Sequence, residues 1–98
     1  MNTAICRAIR EYRLIKLRYD WGLRTVEPHS YGRNHKGHDL LRCYQIAGVS
    51  KSGNPIEWKI LRLDGVTNLH VLDKHFVQPR PKYERGDKAL NAQIYCEL

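Results

Sequence analysis

Apolar positions in the first dozen residues recur at helical spacing, and from Arg13 onward they alternate with polar ones. In "NTAICRAIREY" the residues Ile5, Ile9 and Tyr12 share one side, with Arg7 and Arg10 elsewhere, and Asn2 or Thr3 is placed to cap. This predicts an amphipathic helix of about three turns, too short to stand alone and therefore packed against something. In "RLIKLRYDWG" Ile15, Leu17 and Tyr19 alternate with Lys16 and Arg18, the period of a half-buried strand. Asp20-Trp21-Gly22 provides a turn, and "LRTVE" resumes as a second strand.

Pro28 lacks a ladder donor, so the second strand is expected to end, bulge or lie at an edge there. On this reading His29 and Tyr31 sit partly accessible beyond the regular sheet, near Arg62. "YGRNHKGH" is a polar turn, "DLLRCYQIAGVS" a third strand bending around Gly48, and "KSGN" a hairpin turn. "PIEWKILRL" and "VTNLHVL" supply the fourth and fifth strands. A mainly β fold follows: an N-terminal helix, then a small five-stranded barrel, because closure removes exposed edges. The tail "QPRPKYERGD" reads as a surface arm, and "KALNAQIYCEL" fits a helix or a strand equally well. The expected division is a domain over residues 1–78 with a C-terminal arm, 79–98, packing on it.

Ninety-eight residues accommodate one domain. Apolar runs fall far short of the roughly 20 residues that span a bilayer, and no export signal follows Met1, so a cytoplasmic setting is expected. Cys6, Cys43 and Cys96 are odd in number and far apart, which predicts three structural thiols rather than a disulfide framework or a zinc site. Seventeen Lys and Arg against ten Asp and Glu give a net charge of +7, which favours anionic partners.

Acidic residues are scattered singly, no nucleophile motif occurs, and the loop histidines His29, His35 and His38 lack cysteine or carboxylate companions. Catalysis, metal and cofactor are therefore not expected. No GxGxxG or P-loop pattern is present. What remains is a combination of basic and aromatic residues. Leu40, Arg42, Tyr44 and Ile46 share one face of the third strand, and Trp58, Ile60 and Arg62 share one face of the fourth. An arginine and a tyrosine on one face clamp a phosphate and stack on a base. For Arg62 the competing role is a structural ion pair with Glu27 or Asp64.

The order of "ICRAIREYRLIKLRY", "RTVEPHSYG", "DLLRCYQ", "WKILRLDGVTNL" and "DKHF", across residues 5 to 76, resembles the WYL domain family. The Arg-x-Val-Glu-Pro-His and Leu-Arg-Leu-Asp stretches are its specific parts. The resemblance implies an Sm-like, SH3-type barrel, and a ligand-sensing module for single-stranded nucleic acid or nucleotides in bacterial regulation and phage defence. It also implies that the corner around His29 and the strand arginine Arg62 occupy pocket positions, and that Arg24 is the family's arginine ahead of Glu-Pro-His. The triplet that names the family aligns with Asp39-Leu40-Leu41, and a helix-turn-helix domain is lacking, so duplex binding is not implied. The ligand-binding set expected from both lines is Arg24, His29, Tyr31, Arg42, Tyr44, Trp58 and Arg62. The alternative is a protein-interaction subunit docking a partner through its basic face or a barrel edge. A homodimer is the expected assembly.

Overall fold

In the computed structural model, which describes residues 1–98, helix α1 (Thr3–Arg10) starts at Asn2. The Asn2 side-chain oxygen accepts the Ala4 and Ile5 backbone N–H groups at 2.9 and 3.3 Å. That satisfies two donors which a helix N-terminus otherwise leaves unpaired. Ile5, Cys6, Ala8 and Ile9 form the buried face of α1. Tyr12, in the left-handed region at φ 56°, turns the chain into the first strand, and its ring packs 5.1 Å from that of Phe76.

Six strands follow: β1 (Arg13–Tyr19), β2 (Gly22–Arg33), β3 (Asp39–Gly48), β4 (Glu57–Arg62), β5 (Val66–His75) and β6 (Gln93–Glu97). They form one antiparallel sheet in the order β4-β3-β2-β1-β5, with β6 added along the second half of β2. The expected closed, five-stranded barrel is therefore corrected to an open sheet of six strands. A single 3-10 turn, Leu63–Gly65, carries the chain from β4 to β5, and these two strands do not pair. The end of the chain, compatible with helix or strand from its sequence, is strand over Gln93–Glu97. No helix is long and apolar enough to cross a membrane.

Strand β2 does not stop at Pro28. It pairs β1 up to Val26 and β6 from Ser30, so Pro28 falls in the gap between these two partners, where no donor is called for. Towards β3 the register shifts between Pro28 and Ser30, leaving His29 as the extra residue of a β-bulge. This geometry draws the corner inward. His29 is 0 % and Tyr31 2 % exposed, which corrects the expectation that both are accessible.

Ile5, Ile9, Ile15, Leu17, Val26, Leu41, Cys43 and Leu61 make the core between α1 and the sheet. Cys6 and Cys96 are joined by a disulfide, Cα atoms 5.6 Å apart, so the expectation of three unpaired thiols is corrected as well. The bond ties α1 to β6 across a sequence separation of 90, an approach that only the tertiary fold creates. Cys43 alone stays free, and burial pushes its thiol up to about 12.

Candidate functional site

The register of β3 on β4 sets Tyr44 opposite Trp58, Arg42 opposite Ile60, and Leu40 opposite Arg62. The two alternating series read from the sequence thus lie side by side on one face, while Leu41, Cys43 and Leu61 turn to the core. Tyr44 and Trp58 meet edge to face at 5.6 Å and 89°. The arm then crosses this face. The Trp58 indole N–H donates to the Pro81 carbonyl at 3.1 Å, and the Tyr83 ring lies nearly parallel to Trp58, centroids 6.5 Å apart at 22°. Tyr83 itself is fastened by its hydroxyl, which donates to the Leu98 carbonyl at 3.0 Å.

Between arm and sheet lies an open cleft of about 400 Å³, lined by Arg42, Trp58 and residues 82–88. Four cations (Arg42, Lys82, Arg85 and Lys88) face two carboxylates, Glu84 and Asp87. Arg42 donates to both Asp87 oxygens, at 2.7 and 3.4 Å. Burial pushes the Asp87 carboxyl up, but the Arg42 hydrogen bond, the Ala89 N–H and the Arg42 charge together hold it below its ordinary value. Lys82 and Lys88 have no carboxylate partner, whereas Arg85 pairs Glu97 at 3.2 Å. Glu84 is likewise without a cation partner, so the unpaired charges of the cleft are two lysines and one carboxylate, a net excess of positive charge.

His29 lies behind Trp58 and Tyr83, its ring 4.7 and 5.2 Å from theirs and stacked 5.5 Å from Phe76. Its Nε2 accepts the Arg80 backbone N–H at 3.1 Å, which leaves Nδ1–H to donate to the Glu27 carbonyl at 2.8 Å. Both ring nitrogens are thus used in the neutral form. Burial lowers the imidazole pKa, and the Glu27 carbonyl and charge only partly offset it.

The other predicted residues are placed differently. Arg24 is 4 % exposed and serves the interior: it donates to Gln45 Oε1 at 3.3 Å and Asp20 Oδ2 at 3.2 Å, and lies over the Tyr19 ring. Tyr31 accepts the Asn2 backbone N–H at 2.8 Å, and burial pushes its hydroxyl pKa up. In this arrangement neither is open to a ligand. Arg62 is half-exposed and donates to Asp64 at 2.6 Å, so of its two expected carboxylate partners it takes Asp64. The fold brings Arg42 and Trp58 to the cleft, sets Tyr44 beside Trp58 but under Arg80 rather than in the cleft, places Arg62 on the same face, and keeps His29 beneath.

Lys82, Tyr83, Arg85 and Lys88 were not in the predicted set. The signal for them is in "KYERGDK", which mixes cations with an aromatic as β3 does, but a Pro- and Gly-containing tail carries no strand period to give it a face. No group of three or more His, Cys, Asp or Glu is positioned to hold a metal ion. Comparison with family models, curated proteins and solved structures finds no match for this chain.

Proposed function

We propose that this protein is a non-enzymatic ligand-sensing or regulatory module that binds an anionic, base-bearing ligand, single-stranded nucleic acid or a nucleotide, in the cleft beneath its arm. The observation that carries the reading is the near-parallel Trp58–Tyr83 pair, 6.5 Å apart, bordered by Arg42, Lys82, Arg85 and Lys88. Aromatic faces take a base by stacking, at about 1–3 kcal/mol per base, without requiring a particular sequence. The cations neutralise phosphate, which makes binding weaken as salt rises. The net charge of +7 supports the same class of partner. The resemblance to the WYL family extends the proposal to a role in bacterial regulation or phage defence in the cytoplasm.

The test is a fluorescence titration in a Trp21→Phe background, which leaves Trp58 as the reporter; Trp21 is 62 % exposed in the β1–β2 turn, away from the cleft. Adenosine monophosphate and a short single-stranded oligonucleotide are added separately at low salt. Saturable quenching, reversed by salt, is expected with at least one. An unchanged signal with both removes the proposal.

A further inference from the structure

Residues 78–81, Gln-Pro-Arg-Pro, sit on the sheet as a peptide sits on a receptor. The Arg80 guanidinium donates to both carboxylate oxygens of Glu27, at 2.7 and 3.1 Å, and lies 4.5 Å over the Tyr44 ring. Its backbone N–H goes to His29, and the next carbonyl, that of Pro81, accepts the Trp58 indole N–H. One proline-flanked arginine is thus read through its side chain, its N–H and the carbonyl after it, by groups from β2, β3 and β4.

No backbone–backbone hydrogen bond ties residues 77–82 to the sheet, so between its anchors at Phe76 and Tyr83 the segment's hydrogen bonds to the sheet all run through side chains of the sheet or of Arg80. Val77, at the start of the segment, is 92 % exposed. The receiving carboxylate, by contrast, is built in: the Glu27 side chain is 7 % exposed. A buried carboxylate needs a cation, and a planar guanidinium matches both its oxygens as an ammonium cannot. A shallow open depression runs between the segment and Leu14, Ile46 and Phe76 of the sheet side.

We infer that Glu27, His29, Tyr44 and Trp58 form a docking groove for a proline-flanked arginine segment of a partner protein, with residues 78–81 as a tethered competitor. Prolines fix φ on both sides of the arginine, so such a segment loses little freedom on docking. In a second copy of this chain the same segment is already engaged in its own groove at high effective concentration. A partner that carries the segment without the groove is therefore the fitting occupant.

The experiment uses the full-length Arg80→Ala variant and a labelled synthetic peptide of residues 76–83, followed by fluorescence anisotropy. Arg80→Ala is expected to bind the peptide at least tenfold more tightly than wild type, whose arm competes. A peptide carrying Arg80→Lys is expected to bind at least tenfold more weakly, and adding Glu27→Gln to the variant removes binding. Should Arg80→Ala fail to fold, Arg80→Lys in the full chain carries the same comparison. Equal affinity of variant and wild type, indifference to lysine in the peptide, or a wild-type dimer that Arg80→Ala abolishes overturns the inference. Because no nucleotide is present, none of these outcomes bears on base binding in the neighbouring cleft.

Discussion

The imidazole of His29 accepts the backbone N–H of Arg80 at 3.1 Å, a contact between the bulge of β2 and the middle of the arm. It requires an unprotonated Nε2. The charge state of one buried ring therefore bears on whether the arm stays on the sheet, and with it the cleft that the arm encloses. Glu27, Arg80 and Tyr83 are the titratable or charged groups around that ring.

The pH dependence follows from the direction of the shift. Burial holds the folded-state imidazole below its ordinary 6.5, so on acidification the unfolded chain takes up the proton first. The contribution of His29 to stability is full above 6.5 and is lost as the pH falls through the folded-state value. Thermal unfolding of wild type is expected to drop across that interval, and His29→Gln to lack this component. Equal slopes for the two proteins would refute it.

Reduction of Cys6–Cys96 releases a loop of about 90 residues in the unfolded chain. On chain-entropy grounds the reduced protein is expected to lose about 2–5 kcal/mol, read by urea unfolding. Cys43, buried and with its thiol near 12, is expected to resist alkylation at neutral pH until the protein unfolds. Rapid native labelling of a thiol in the oxidised protein would contradict this.

At Gly32 a Cβ would collide with the Gln93 carbonyl oxygen, backbone of the strand that flanks this end of β2. Gly32→Ala is therefore expected to push β6 from β2 at a cost of about 1–3 kcal/mol, with faster amide exchange across Gln93–Glu97 as its signature.

The alternation along β1, β3 and β4 was legible because each strand buries one face, and the cap at Asn2 was legible because it is local. The rest depended on partners distant in sequence. Pro28 reads as an end, a bulge or an edge, and the bulge is what forms; β2 continues past it because its two neighbours on the other side leave a gap there. Cys6 and Cys96 lie at opposite ends of the chain, and no spacing rule pairs them. Arg80 and Tyr83 stand in a tail without periodicity, and their roles come from Glu27, Trp58 and Leu98.

Arg62 pairs Asp64 at a half-exposed position, where ion pairs contribute about 0–1 kcal/mol. Arg62→Ala is expected to leave unfolding within that range of wild type. A larger loss in a urea melt would make Arg62 a structural residue.

The most direct measurement is the affinity of a labelled single-stranded oligonucleotide, by fluorescence anisotropy across a salt series, for wild type, Arg42→Gln and Trp58→Leu. Wild type is expected to bind at low salt with an affinity that falls steadily as salt rises. Arg42→Gln is expected to lose about 1.5–3 kcal/mol of binding and Trp58→Leu about 1–3 kcal/mol, both while folded by circular dichroism. Undiminished binding by both variants, or no binding by wild type together with no response to adenosine monophosphate, would contradict a base-binding cleft between Trp58 and Tyr83.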